Sequence, residues 1–325
     1  MKKIMRIALV VLGIGAGAAS LYTYQLYKNV EQTANAIYEP LTPGPIAQTQ
    51  PAQQAQPAQA ALLPAGRTAA PDEQKVEPQG EKPLSILLFG VDKRGADAGR
   101  SDTIIYLVSN PELRQTLMFS IPRDTRTQIA DIGGQDKINH AYAFGGMSST
   151  VRTVESFLAT PIDYYVKVDM EGFLNIIDSL GGVVIDNERA FSYEGFQFQK
   201  GKIALDGKMA LAYARMRHDD PEGDFGRNKR QQLIIQQLMN KAKEISTVNK
   251  LDKVLADVGA SVKTNLTFDD MKNLMFHYKA ALDQVHVLRI NGQGEMLNGI
   301  YYYAVPEEER SRIKSQIDAV LRGTW

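Results

Sequence analysis

Between Lys82 and Trp325 the chain alternates short apolar runs with longer amphipathic stretches, and no other feature limits its architecture as much. The runs LSILLFGV (84–91), TIIYLVS (103–109), QTLMFSI (115–121), YYVKVD (164–169), VVI (183–185) and VHVLRI (285–290) are short and rich in β-branched and aromatic residues, so they predict strands. Asn110-Pro111 predicts the turn of a strand pair. Helical pieces are expected across 135–158, and helices over MEGFLNIIDSL (170–180), 206–215, 226–246 and 268–281. Thr267 with Asp270 forms a capping box for the helix at 268–281, and Gly181-Gly182 ends the one at 170–180. Pro306 and Gly323 bracket a final helix. Strands mixed with helices throughout predict an α/β domain with helices on both faces of its sheet.

Upstream the pattern is different. Lys2, Lys3 and Arg6 lie in a short basic tail (1–6), and Ile7 to Leu26 carries no charge. That run has about the 20 residues a membrane-spanning helix needs, so 7–27 is read as a transmembrane anchor with Tyr22, Tyr24 and Tyr27 at the outer interface. The basic end belongs in the cytoplasm, which places the rest of the chain outside the cell membrane. Ala16-Gly17-Ala18 would suit a cleaved signal peptide, but the apolar run continues past it. Residues 28–81, rich in Pro, Gln and Ala from about residue 40, read as a disordered linker between the membrane and a domain at 82–325.

The 325 residues include no cysteine and balance to zero net charge. An extracytoplasmic domain must then rely on its core rather than disulfides, and nothing points to nucleic acid as a partner. There is no GxxxxGK[ST], no GxGxxG after a strand, no GxSxG and no HExxH.

The chemistry is concentrated at element ends. RMRHDDPEGDFGRNKRQ (215–231) reads as a helix end, a loop and the start of a new helix. Arg227 and Arg230 in the first turn oppose the helix dipole unless an anion lies near. Asp224, the expected N-cap, is one candidate, and a phosphate gripped by Arg forks is the other. A surface salt-bridge cluster is the competing interpretation. DKRGADAGRSDT (92–103) joins two strands and offers Asp92 and Asp102 as hard oxygen ligands beside Arg94 and Arg100, suited to one Mg²⁺ bridging to a phosphorylated ligand, or to a plain polar turn. Pro122-Arg123-Asp124-Thr125 follows another strand and adds Arg123. In KINHAYAFGG (137–146), His140 reads as structural, while Lys137 and Asn139 are within sequence reach of the site. The convergence of Arg94, Arg100, Arg123, Arg215, Arg217 and Arg227 suits a polyanion such as a pyrophosphate.

The blocks LLFGVDKR, RSDTI, SIPRDT, KINHAYAFGG, IDYYVKVDMEGF, IDSLGGV and ARMRHDDPEGDFGRNKRQQ, in this order, resemble the LytR-CpsA-Psr family over about 82–325, with the anchor and linker upstream. The resemblance implies a mixed central β-sheet sandwiched between helices, with an apolar pocket for a polyprenyl chain. It implies Mg²⁺-dependent transfer of an anionic glycopolymer, such as teichoic acid, from polyprenyl pyrophosphate to peptidoglycan. By motif it implies Asp92 and Asp102 as metal ligands. Arg94, Arg100, Arg123, Arg215, Arg217, Arg227 and Gln231 match the pyrophosphate-binding positions, Arg215 and Arg217 also serving catalysis. Asp224 matches an aspartate placed as base, with Asp92 as the other carboxylate for that role. Phe157, Phe173, Ile176, Ile177, Ile234 and Leu238 are candidates for the lipid pocket or for ordinary core. Two other functions use the same residues: hydrolysis of polyprenyl pyrophosphate, and a non-enzymatic anchor that binds or regulates wall polymers.

Overall fold

The computed structural model describes residues 24–25, 27–42, 82–92, 100–217, 219–244 and 259–325. A helix over 27–37 (α1) opens it. Strands β1 (Leu84–Asp92), β2 (Arg100–Asn110) and β3 (Gln115–Ser120) follow as an antiparallel meander. The small hairpin β4 (Arg126–Gln128) and β5 (Gln135–Lys137) leads into α2 (Ala141–Leu158). Next come β6 (Tyr164–Asp169), α3 (Met170–Ser179), β7 (Val183–Asn187), the hairpin β8 (Phe191–Tyr193) and β9 (Phe196–Phe198), β10 (Gly201–Leu205), α4 (Gly207–Arg215) and α5 (Asp224–Glu244). The chain closes with β11 (Val262–Thr264), α6 (Phe268–His277), β12 (Gln284–Leu288), the hairpin β13 (Gln293–Leu297) and β14 (Ile300–Ala304), and α7 (Glu307–Leu321).

The central sheet has six strands in the order β11-β6-β1-β2-β3-β12. It is mixed: β6 runs parallel to β1 and β12 parallel to β3, and the other pairs are antiparallel. The expected α/β/α layering is present. The two faces, however, are filled differently. Phe89, Tyr106, Val108, Leu117, Phe119 and Tyr165 point to one side and pack against Val151, Val154 and Phe157 of α2 and Ile313 and Ile317 of α7. Their strand neighbours, such as Leu88, Ile105 and Val168, point to the other side, toward α3, α5 and α6. Alternation with period two thus sends two apolar sets in opposite directions.

Local signals explain most boundaries. Gly181 and Gly182 have φ of 73° and 78° and end α3, and a Cβ on Gly182 would press on the Leu205 carbonyl. The capping box of Thr267 and Asp270 starts α6. The β8–β9, β10 and β13–β14 strands lie outside the runs that the periodicity marked. Asn298-Gly299, with φ of 52° and 78°, is the two-residue turn that marks β13–β14.

One boundary changes. Residues 28–42, expected as disordered linker, pack on the domain. Val30, Ala34 and Ile37, spaced along one face of α1, are buried against Val262 and Phe268. Glu39 N–H then donates to the Thr264 carbonyl at 2.7 Å, and Thr42 N–H to Ser148 Oγ at 2.9 Å. The expected linker residues 43–81, the expected basic tail 1–6 and most of the expected anchor (7–23 and 26) lie outside the described residues. Among the described residues no helix is long and apolar enough to cross a membrane.

Candidate active site

The meander places the first acidic residue. The β1–β2 register shifts between Gly90, opposite Thr103, and Val91, opposite Ser101, which leaves Asp102 as the extra residue of a bulge. A bulge re-aims a side chain out of the alternation. Asp102 Oδ1 accepts from Arg123 Nη1 at 2.9 Å.

Arg123 follows β3 directly, on a segment held by its backbone. The carbonyls of Arg123, Asp124 and Thr125 accept from the N–H groups of Asn139 (3.3 Å), Tyr303 (2.8 Å) and Ile138 (2.8 Å). The Arg123 guanidinium also lies 3.7 Å from Asp224 and 3.8 Å from Asp124. Asp124 in turn receives Lys137 Nζ at 2.7 Å. Burial opposes the charge on Arg123, but Asp224, Asp102 and Asp124 together raise its pKa above the ordinary arginine value.

The 215–231 segment supplies the rest. Arg215 ends α4, and α5 begins at Asp224. Asp224 is not the N-cap. Gly223, with φ of 55°, precedes it, and the Gly223 carbonyl accepts from Arg227 N–H at 3.3 Å. The Asp224 carboxylate instead accepts from Arg227 Nη2 at 2.9 Å. Arg227 also donates to the Asp102 carbonyl at 3.4 Å, and its side chain is 7% exposed. Burial lowers the Arg227 pKa, and the charges of Arg123 and Arg217 lower it further against the pull of Asp224 and Asp102. The Arg227 guanidinium therefore feels two others, and guanidinium does not deprotonate to relieve the repulsion.

Arg230 does something else. Its Nε donates to the Tyr213 carbonyl at 2.9 Å, and its Nη groups bond the Met216 carbonyl and the Asp220 carboxylate. It lies over Phe191 and Tyr213 at 5.5 and 5.9 Å. It thus caps the end of α4 and fixes the loop that presents Arg215 and Arg217. Gly226 leaves room for this arrangement, since a Cβ there would collide with the Asp220 carboxylate.

Beside this cluster a cavity of about 550 Å³ opens between the sheet and α3, α5 and α6. Its walls are apolar, including Phe173, Ile176, Ile235, Leu238, Met271 and Leu274. At one end it reaches Arg215, Gln231 and Thr103, the last next to Asp102. Gln231 sits one turn beyond Arg227 and donates to the Ala214 carbonyl at 3.5 Å. The model of the LytR_cpsA_psr family matches residues 50–319 of this chain.

The chain belongs to the LytR-CpsA-Psr family.

Two curated relatives are each named polyisoprenyl-teichoic acid–peptidoglycan teichoic acid transferase TagU. The chain is 47% identical to the one from Bacillus licheniformis over 246 residues, 76% of this chain and 80% of the relative. It is 40% identical to the one from Halalkalibacterium halodurans over 325 residues, 98% of this chain and 99% of the relative. Among solved structures, Bacillus subtilis TagU is similar with a TM-score of 0.61 at 45% identity, covering 74% of this chain and 97% of that one.

Of the residues singled out in this LytR-CpsA-Psr sequence, Asp102, Arg123, Asp224 and Arg227 are in mutual contact. Arg217 is close enough to Arg227 to repel it, and Arg215 and Gln231 line the cavity mouth. Arg94 lies outside the described residues. Asp92 and Arg100 pair across the ends of β1 and β2, with their side chains outside the described part. His140, read as structural, has its Nδ1 2.8 Å from Asp136 Oδ2. Sequence motifs understated Asp124 and Lys137, which hold Arg123 in place. Of the six apolar candidates, Phe173, Ile176 and Leu238 line the cavity, whereas Phe157, Ile177 and Ile234 are solid core.

Proposed function

We propose that this chain transfers an anionic glycopolymer of the teichoic-acid class from polyprenyl pyrophosphate to peptidoglycan, with Mg²⁺ as cofactor. One observation carries this: a part-buried cluster of arginines and carboxylates stands beside an apolar cavity whose mouth is lined by Arg215 and Gln231. An isoprenoid tail fits the apolar walls, and a pyrophosphate then meets the guanidinium forks. The names of the relatives support the polymer and the acceptor.

The donor set is suited to Mg²⁺. Asp102 presents a hard carboxylate among the cations, and no group of three or more acidic or His side chains among the described residues forms a metal cage. Mg²⁺ takes few carboxylates and completes its shell with water and phosphate oxygens. Asp102, with Asp92, would hold it, and it would neutralise pyrophosphate charge.

In the step itself, Asp224 accepts the proton of the acceptor sugar hydroxyl. That oxygen attacks the glycan-side phosphorus, the bond to the bridging oxygen breaks, and polyprenyl phosphate leaves with that bond's electrons. Arg123, Arg215, Arg217 and Arg227 stabilise the charge that develops on the phosphoryl oxygens. We further propose that residues 7–27 hold the protein in the cell membrane as a single pass, with the N-terminus cytoplasmic and the domain outside; the charge-free run supports this.

The test is incubation of the protein with Mg²⁺, a polyprenyl-pyrophosphoryl oligosaccharide and an uncrosslinked peptidoglycan glycan. Mass spectrometry should show a phosphodiester adduct on the glycan, lost with EDTA and with Arg215→Ala. Release of phosphorylated sugar without adduct would instead establish hydrolysis.

A further inference from the structure

Helix α6 presents two stripes. Met271, Leu274, Met275 and Tyr278, at helical spacing along it and just past its end, line the cavity. Phe268, Lys272 and Phe276 recur every fourth residue and form another stripe. Helix α1 covers the first part of that stripe. The Tyr27 ring meets Phe268 edge-on at 5.2 Å, and Lys272 Nζ lies 5.7 Å from the Tyr27 ring centre and 4.8 Å from that of Phe268. Phe276, about 6 Å further along the helix than Lys272, is 65% exposed. Tyr27 is 40% exposed, and Tyr24, three residues upstream, is 59% exposed.

Scattered exposed aromatics are ordinary. These three gather around Lys272, where the chain passes from the domain into the charge-free run that ends at Leu26. The charges of this edge are matched locally: Lys272 pairs with Asp269 at 2.6 Å and Lys28 with Glu31 at 2.7 Å. Aromatic rings beside a neutralised polar rim suit the interfacial layer of a bilayer, where one side of a ring meets hydrocarbon and the other meets water. The course of the chain favours a bilayer over a protein partner. The same edge leads into residues 7–26, which are long and apolar enough to need hydrocarbon of their own.

We propose that the α1–α6 edge lies on the bilayer surface, with Tyr24, Tyr27 and Phe276 in its interfacial layer. The proposal rests on the reading of 7–27 as a membrane span, and not on the transferase chemistry. It gives the protein a second membrane contact, from a helix far along the sequence. It also makes α6 a partition, with the Phe276 stripe against lipid and Met271, Leu274 and Met275 against the cavity. The cavity end at Leu84 and Tyr278, two residues past Phe276, is then the end nearest the bilayer. Gly90 and Thr103, beside the charged cluster, mark the other end of β1.

The test uses the full chain in vesicles of equal parts phosphatidylcholine and phosphatidylglycerol, with some lipids carrying a headgroup nitroxide as quencher. The chain has no cysteine, so His277→Cys accepts a single fluorophore and leaves Phe276 in place. Met296→Cys, on β13 at a position 63% exposed, is the control. The label at 277 should be quenched several-fold more than the label at 296. Phe276→Glu in the His277→Cys background should remove most of that excess with the circular dichroism spectrum unchanged, because the side chain is exposed. The excess should survive about 1 M salt, where charge is screened beyond ~3 Å. Equal quenching at 277 and 296, an excess that Phe276→Glu leaves intact, or one that salt abolishes would overturn the docking. A full chain that fails to float with the vesicles would refute the span, and the docking with it. Neither result touches the transferase reading, which stands or falls on the glycan adduct.

Discussion

Arg227 and Arg230 stand three residues apart on α5, and their surroundings give them opposite tasks. Arg227 is crowded by Arg123 and Arg217, a costly arrangement that suits an anion site. Arg230 is matched by carbonyls, Asp220 and two rings, which suits a clamp. The spacing of arginines in the sequence does not distinguish them; only the partner of each does. Arg123 was legible because it follows a buried strand and Asp224 because it opens a helix, whereas Asp102 sits at a bulge inside β2. Asp124 and Lys137 were less legible, because their part in holding Arg123 depends on contacts across the fold. Two predictions belong here. Arg123→Lys cannot bridge Asp102 and Asp224 with a planar fork, so transfer should fall on the order of 10²-fold with the circular dichroism spectrum unchanged. Asp220→Asn leaves Arg230 buried without its counter-charge and should cost about 3 kcal/mol or more in urea unfolding. Burial alone would raise the Asp220 carboxyl, but the Arg230 and Glu222 hydrogen bonds outweigh it and lower its pKa. Its folded value lies below its unfolded one, so this stabilisation is complete above pH ~4 and lost as pH falls through the folded value. The gap between wild-type and variant midpoints should narrow on going from pH 7 to pH ~3; a constant gap would refute the assignment.

At the level of elements, α1 is the departure from expectation. Composition marked Pro, Gln and Ala downstream, and the linker assignment spread back over a helix whose apolar spacing is only three residues long: Val30, Ala34 and Ile37. So short a stripe does not stand out in a sequence, but burial against Val262 and Phe268 makes it count. The helix also backs the cavity, since Val168, Ile176 and Met271 touch both the α1 contact and the cavity wall. Ile37→Ala should cost about 2 kcal/mol or more in thermal or urea unfolding. A protein lacking 1–42 should unfold more readily than one lacking 1–26. If the two truncations match, the α1 contact contributes nothing.

Across the whole molecule, the sheet divides a solid half from a hollow half. Strand periodicity gave the sheet and its helices, yet both faces of the central strands β1 and β2 are apolar, so no pattern says which face is filled. Phe157 and Leu238 look alike in sequence and fall on opposite sides. The difference arises from the spacing of helices across the sheet, a long-range property. Leu238→Trp should fill the cavity and raise the donor KM about tenfold with the fold retained. Phe157→Ala should do the reverse, lowering stability by about 3 kcal/mol or more while leaving the donor KM alone. A shared effect on donor KM would mean that the two faces are not independent.

The docking of 27–42 also decides how far the domain can stray. Thr42 is tied to Ser148, and the Lys82 carbonyl accepts from the Tyr278 hydroxyl at 2.5 Å. Segment 43–81 therefore connects two points already fastened to the same body, a detour rather than a leash. What lies upstream of residue 27 therefore meets the domain through α1 and not through 43–81. Evolution or engineering can lengthen the detour without loosening either attachment.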